Sequence, residues 1–129
     1  LKSFGTNFGM AFQLIDDAID YSSSSKTMGK NIGDDFKEGK ITLPIILAYG
    51  RSNNKEKNFL QNVISNPKED QNNFKLIKEL LIKYNCIEDT VIRANHFADI
   101  AIDSLTIFND NEYKDSLIKL IETSVKRLA

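Results

Sequence analysis

The sequence predicts an all-α protein, and three observations support this fold class. Apolar residues recur at spacings of three and four in most segments, which is the period of a helix face packed on a core. Almost no segment alternates apolar and polar residues as a half-buried strand does. Only two prolines and six glycines occur in 129 residues, so few positions interrupt helices.

Composition excludes several classes of function. With 17 basic and 18 acidic residues, no net field favours nucleic acid or an anionic membrane surface. The longest apolar stretch, Ile41–Tyr49, is far shorter than the ~20 residues that a transmembrane helix requires, so no membrane span is expected. The single cysteine, Cys86, forbids an internal disulfide and fits a cytoplasmic protein with a buried thiol.

The first predicted helix, Leu1–Tyr21, carries three carboxylates and an amide on one side. Successive residues of a helix are rotated by about 100°, and on this helix four polar residues fall within an arc of about 100°. We call these residues the acidic strip: Gln13, Asp16, Asp17 and Asp20. The remaining circumference is apolar, and a helix apolar nearly all round is expected to be buried. Since buried acids are rare unless paired or bound to metal, we expect cationic groups opposite them. Gly9, in line with the strip, leaves room for another group to approach.

After a polar loop that begins with four serines, a second helix is predicted over about 34–51, capped by Asp34 or Asp35. Pro44 lies inside this predicted helix. Its ring would remove the bond that the Lys40 carbonyl accepts, so we expect a kink that can aim Lys40 inward.

Four further helices are predicted over about Asn54–Ile64, the segment after the Asn66-Pro67 break, Ile87–Ile107 and Glu112–Leu128. The fourth helix has an apolar stripe of Phe74, Ile77, Leu80, Leu81 and Tyr84. The fifth helix has apolar residues at alternating spacings of four and three, which is the seam expected where one helix packs closely along another. These residues are Ile87, Val91, Ala94, Ala98, Ala101 and Leu105. The sixth repeats the pattern with Tyr113, Leu117, Leu120, Ile121, Val125 and Leu128. No repeat of solenoid period is visible, so a bundle is favoured.

The carboxylates of the acidic strip are candidate metal ligands. Asp16, Asp17 and Asp20 offer hard oxygen donors, which suit Mg²⁺, a cation that commonly bridges carboxylates to phosphates. Lys30 and Lys40 supply the point charges that a diphosphate requires. An Asp-Asp-x-x-Asp string is also common on solvated helix faces, but the apolar circumference of this helix favours the functional interpretation.

No competing catalytic site is evident. His96 is predicted to be solvated, on the side of its helix opposite the alanine seam. The Glu-x-x-His pairs of helical di-iron sites do not occur, and a serine or cysteine nucleophile with a histidine partner has no local support.

Two segments stand in order along the chain: Gly9-Met-Ala-Phe-Gln-Leu-Ile-Asp-Asp-Ala-Ile-Asp-Tyr21 and Gly29-Lys-Asn-Ile-Gly-Asp-Asp-Phe-Lys-Glu-Gly-Lys-Ile-Thr-Leu-Pro44. They resemble the second aspartate-rich motif, the following Gly-Lys loop and the Gly-Lys-x-Thr-Leu-Pro segment of the trans-type isoprenyl diphosphate synthases. The region from Asp103 to Tyr113 also looks like the tail of the long-chain branch, typified by octaprenyl diphosphate synthases.

The resemblance implies the helical bundle of isoprenoid synthases, with residues 1–129 forming the C-terminal part of a single domain. It implies Mg²⁺-dependent condensation of isopentenyl diphosphate with an allylic diphosphate to a polyprenyl diphosphate, in isoprenoid and quinone side-chain biosynthesis. By the same resemblance, Asp16 is a direct metal ligand, Asp17 and Asp20 bind the metal or its waters, and Asp35 holds a metal-bound water.

The resemblance also assigns substrate contacts. Lys30 and Lys40 would contact the allylic diphosphate, Gln13 would position substrate, and Phe12 would offer an aromatic face to the reacting hydrocarbon. The family's first aspartate-rich motif, its arginines for isopentenyl diphosphate and its determinants of product length would lie upstream of Leu1, so the N-terminal half of the domain is an expected partner. A homodimer is possible. The alternative is a non-catalytic helical partner subunit or binding protein of the same fold.

We expect the 129 residues alone to be catalytically inactive, because the family clamps its metal cluster between carboxylates on two facing helices. The measurement is extension of an allylic primer with labelled isopentenyl diphosphate by the purified chain. Any extension would contradict this expectation.

Overall fold

A computed structural model describes residues 1–21, 41–66 and 71–125. Every regular element in these ranges is an α-helix, which confirms the predicted all-α class. The helices are α1 (Lys2–Ile19), α2 (Leu43–Arg51), α3 (Asn54–Ser65), α4 (Gln71–Lys83), α5 (Cys86–Asp103) and α6 (Glu112–Ser124). None of them is long and apolar enough to cross a membrane.

The prediction that Pro44 lies in a helix interior is wrong. Helix α2 begins at Leu43, and Thr42 precedes it as an N-cap residue with extended backbone. The carbonyl of Thr42 accepts the first helical bond, from the Ile46 N–H at 3.0 Å. Pro44 therefore lies in the first turn, where a missing N–H breaks no helical bond. The predicted start of this helix and the position of Lys40 fall outside the described residues.

The chain divides into two compact units. One comprises Asp17–Thr90, here called the central unit, and the other comprises Leu1–Asp16 with the residues from Val91 onward, here called the terminal unit. The boundary passes through α1 after Asp16 and through α5 after Thr90.

In the central unit, α2 packs against both α3 and α4. The core contains buried apolar residues from four segments: Tyr21, Ile45, Ala48, Leu60, Val63, Ile77, Leu81 and Cys86. The predicted stripe of α4 is confirmed, since Ile77 and Leu81 have no exposed surface and Phe74, Leu80 and Tyr84 pack against this core. The spacing of three and four residues therefore identified the correct face of α4.

In the terminal unit, the predicted seam of α5 is buried. Ala94, Ala98 and Ala101 are fully buried, and Leu105 is 1% exposed. Small side chains allow close approach along this face. The predicted face of α6 is only partly buried, because Ile121 and Val125 are buried whereas the side chain of Tyr113 is 82% exposed.

Helix α1 is buried on one side rather than all round, so that part of the prediction is wrong. Phe4, Ala11 and Ile15 are buried within the terminal unit, whereas Met10 is 46% and Phe12 is 44% exposed. An apolar circumference predicts burial only if packing elements cover every side. In the described part of the chain, one side of α1 faces solvent.

A polar junction ties the start of α3 to the end of α4 in the central unit. Asn53 and Glu56 form a capping box, in which each backbone N–H donates to the other residue's side chain at 2.9 Å. The Lys83 ammonium contacts Glu56 Oε2 at 2.8 Å, and the Tyr84 hydroxyl donates to Glu56 Oε1. These bonds lower the pKa of Glu56 from 4.5 to about 2, and the bond from Lys83 contributes most to the lowering.

Arg51 joins the same junction from the end of α2. It donates to the Tyr84 carbonyl at 2.7 Å and pairs with Asp89 in the first turn of α5 at 2.6 Å. Between α4 and α5, Asn85 adopts a positive φ of 55°, a conformation that asparagine tolerates better than most residues. Burial raises the pKa of the neighbouring Cys86 thiol, so the thiol is protonated at neutral pH.

We expect Glu56→Gln to flatten the acid side of the stability profile. Because the folded pKa of Glu56 lies below its ordinary value, the unfolded chain binds a proton before the folded chain does as the pH falls from about 5 to about 2. The free energy of unfolding of the wild type should decline across that window. Glu56→Gln should lack the part of the decline that comes from Glu56. Urea unfolding at a series of pH values measures it. Glu79→Gln, which changes an exposed carboxylate of α4, should keep the wild-type slope.

Ile77→Ala should destabilise the fold by about 3 kcal/mol, because it leaves a cavity in a fully buried site. The neighbouring Leu76 is 45% exposed, and Leu76→Ala should cost less than about 1 kcal/mol. Chemical unfolding of the two variants gives the comparison. Equal losses would contradict the assignment of the α4 core face.

Candidate functional site

The acidic strip lies on the second half of α1, and its exposure changes along the helix. Gln13 is exposed and Asp16 is half-buried. In the following turn, Asp17 is 6% exposed and Asp20 has no exposed surface. The predicted strip therefore presents its first two members to solvent and its last two to the protein interior.

Phe12 lies on the exposed side of α1, beside Gln13. Its ring packs edge-on to Phe8 with centroids 6.4 Å apart, and Phe8 in turn packs on Phe4 at 5.7 Å. This row of rings fixes the aromatic face of Phe12 next to the polar groups of the strip. The surface at Gly9 is open, because a β-carbon placed there would meet nothing within 4 Å.

The end of α1 is anchored in the central unit. Ala18 and Ile19 are buried, and the Tyr21 ring stacks on Phe74 of α4 with centroids 5.8 Å apart. The anchoring fixes the rotation of the last turn and so fixes the positions of Asp17 and Asp20.

The donor chemistry of the strip fits a hard divalent cation. Carboxylate oxygens are the preferred ligands of Mg²⁺ and Ca²⁺, and Asp16 is the carboxylate that reaches solvent. All three aspartates take part in polar or electrostatic interactions. Within residues 1–21, 41–66 and 71–125, no three acidic, histidine or cysteine side chains converge as a complete metal site. The strip can therefore supply one side of a metal site, with the other ligands drawn from substrate, water or further protein groups.

The remaining predicted site residues are Lys30, Asp35 and Lys40, and they lie outside the described residues. The segment that follows them is described from Ile41. The Thr-Leu-Pro part of the Gly-Lys-x-Thr-Leu-Pro segment supplies the N-cap residue Thr42 and the first two residues of α2. His96 is exposed, as predicted.

Sequence reasoning missed an open groove of about 480 Å³ between α3 and α4. Its lining includes the apolar residues Phe59, Leu76 and Leu80, together with Glu56 and Lys83 of the polar junction. The Asn-x-x-Glu sequence at positions 53–56 is a capping-box signature that agrees with the predicted start of α3 at Asn54. The contact of Glu56 with Lys83 joins residues far apart in sequence and has no local signal.

The chain is similar to one protein family and to several known proteins. Residues 1–81 match the family model described as polyprenyl synthetase. An octaprenyl diphosphate synthase of Haemophilus influenzae is 35% identical over 98% of the chain. A Caulobacter crescentus polyprenyl synthase, solved with calcium and isoprenyl diphosphate, is 39% identical over 98% of the chain, with a TM-score of 0.88. An octaprenyl pyrophosphate synthase of Helicobacter pylori is 36% identical over 92% of the chain, with a TM-score of 0.77.

These relatives are much longer than the chain. It spans 38% of the Haemophilus synthase, 39% of the Caulobacter protein and 38% of the Helicobacter protein. The likeness extends over nearly all of the chain, so its fold is the one found in the corresponding part of those structures.

Proposed function

The chain belongs to the polyprenyl synthetase family, and from this premise we propose that the longer protein condenses isopentenyl diphosphate with an allylic diphosphate to make a polyprenyl diphosphate. The product would serve isoprenoid and quinone side-chain biosynthesis. We propose that this chain supplies the part that holds the allylic diphosphate and its metal ions. The observation that carries the proposal is the exposed side of α1, where Phe12, Gln13 and Asp16 lie together beside the open surface at Gly9.

Asp16 is the proposed direct ligand of the metal, because it is the carboxylate of the strip that reaches solvent. The cation is proposed to be Mg²⁺, which when bound would offset negative charge that develops on the departing diphosphate. The calcium and isoprenyl diphosphate in the Caulobacter relative support a divalent cation at a prenyl diphosphate site, since Ca²⁺ and Mg²⁺ share a preference for oxygen ligands.

Asp17 and Asp20 are proposed to act behind Asp16. Both are buried at the anchored end of α1, so they suit the role of orienting that helix end, and they are proposed to bind the metal or its waters. Asp35 is proposed to hold a further metal-bound water.

Four residues are proposed to handle the allylic substrate. Lys30 and Lys40 would bind its diphosphate as point charges, which stabilises the leaving group as the carbon–oxygen bond breaks. Gln13 would orient the substrate through its amide, and Phe12 would present its ring face to the allylic cation.

In the proposed reaction, the allylic carbon–oxygen bond ionises and the double bond of isopentenyl diphosphate attacks the resulting cation. Loss of a proton completes the new allylic diphosphate. Binding of isopentenyl diphosphate and control of product length are assigned to the N-terminal part of the longer protein. Residues 1–129 would then be the C-terminal part of one domain, in a cytoplasmic enzyme that forms a homodimer.

Asp16→Asn in the full-length protein should lower turnover by about 100-fold or more, because loss of a metal ligand removes about 3 kcal/mol of transition-state stabilisation. The measurement is Mg²⁺-dependent incorporation of labelled isopentenyl diphosphate into farnesyl diphosphate, with products separated by length. Glu122→Gln is the matched control, since it makes the same change of a carboxylate to an amide at an exposed position of α6.

Long-chain product that is lost in Asp16→Asn and retained in Glu122→Gln would support the synthase and the role of Asp16. Equal activity in both variants would contradict the proposed ligand. A well-folded full-length protein without product at any Mg²⁺ concentration would favour the non-catalytic partner subunit of the same fold.

A further inference from the structure

The turn between α5 and α6 exposes large apolar side chains. Ile107 and Tyr113 are each 82% exposed, and Phe108 is 39% exposed. They occur within seven consecutive positions of the terminal unit. Exposed apolar residues are common singly, but three bulky ones at one short turn form a patch of the kind that binds partners.

The turn is held in place by specific contacts. Asn111 caps α6 by accepting from the Lys114 N–H at 2.9 Å. The Lys114 ammonium contacts the Phe108 carbonyl at 3.3 Å and Asp110 at 3.0 Å, and Leu105 is 1% exposed and anchors the start of the turn. The exposed apolar side chains therefore extend from an ordered backbone, which reduces the entropy lost when a partner binds them.

Acidic side chains surround the apolar residues in sequence. Between positions 99 and 116 the chain has five carboxylates, Asp99, Asp103, Asp110, Glu112 and Asp115, and one cation, Lys114. The side chain of Lys114 is only 15% exposed and is paired with Asp110, whose side chain is 92% exposed. The surface of the turn is therefore apolar at its centre and negative around it, although the whole chain has a net charge of only −1.

We propose that the α5–α6 turn, comprising Ile107, Phe108 and Tyr113 with their acidic neighbours, docks a basic amphipathic segment of a protein partner. Apolar side chains of that segment would cover Ile107 and Tyr113, and its lysines or arginines would face Asp103 and Glu112. The sign of the charge disfavours nucleic acid and anionic membranes. It also disfavours a second copy of the same face, because like charges would meet across a symmetric contact. This inference concerns binding and is independent of the proposed catalysis.

The test measures binding of labelled synthetic peptides to the full-length protein by fluorescence anisotropy. The first peptide is a lysine–leucine amphipathic helix, the second keeps its lysines but replaces leucine with serine, and the third replaces lysine with glutamate. We expect the first to bind with an affinity that falls as salt increases, and the other two to bind at least tenfold more weakly.

Two variants and one control locate the site. Ile107→Ser/Tyr113→Ser should weaken binding of the first peptide at least tenfold, as loss of central anchors does at protein interfaces. Asp103→Asn/Glu112→Gln should weaken it and reduce its salt dependence. Ile92→Ser removes another exposed apolar side chain, 58% exposed on α5, and should leave binding unchanged. Thermal melts check that all the variants remain folded.

Four outcomes would overturn the proposal. Two concern the peptides: Ile107→Ser/Tyr113→Ser binds the first peptide as tightly as the wild type does, or the serine peptide binds the wild type as tightly as the first peptide does. The other two concern different partners: the wild type binds phosphatidylserine vesicles, or forms dimers as its concentration rises, and Ile107→Ser/Tyr113→Ser abolishes that binding or dimerisation. Hydroxyl-radical footprinting of the full-length protein supplies a further check. Modification of Tyr113 without peptide and its protection with the first peptide would support the proposal. Protection without peptide would also overturn it, because the protein itself would then cover the patch.

Discussion

Burial of carboxylates at the end of α1 is the constraint on which the candidate site depends. A buried carboxylate costs several kcal/mol unless it is hydrogen-bonded or paired, yet Asp17 and Asp20 lie beside Ala18 and Ile19 in the interior. Apolar packing fixes the rotation of this turn, and the interactions of the aspartates must be compatible with that rotation. Asp16 directly precedes this turn and is half-buried, and an ordered position of this kind suits the proposed metal ligand.

The central unit combines an apolar core with a polar junction at its helix ends. The Glu56 side chain accepts from the Asn53 N–H at the N-cap of α3 and pairs with Lys83 at the end of α4, and Arg51 links the end of α2 to the start of α5. These contacts satisfy groups at helix ends, where backbone donors and carbonyls lack helical partners. The junction and the proposed site use separate residues. Loss of the junction should therefore reduce the stability of the fold without changing the metal binding proposed for Asp16.

The sequence was sufficient for features that depend on local pattern. The alanine seam of α5 and the buried pair Ile77 and Leu81 follow from helical periodicity. The roles of the site residues come from the two family-like motifs and stay a prediction. The start of α2 was misassigned, because the rule that proline kinks a helix applies only if the helix begins well before it, and Pro44 lies in the first turn. The contact between Tyr84 and Glu56 depends on tertiary packing, so no local pattern could reveal it.

The position of Cys86 gives the protein a single internal probe of its own opening. It is the sole cysteine of the sequence, it has no exposed surface, and it lies one residue after the positive-φ turn at Asn85. A thiol reagent can reach it only when the α4–α5 corner separates from the core. The rate of labelling of this thiol therefore reports every opening that exposes the corner, and its comparison with the rate of global unfolding separates local from global opening.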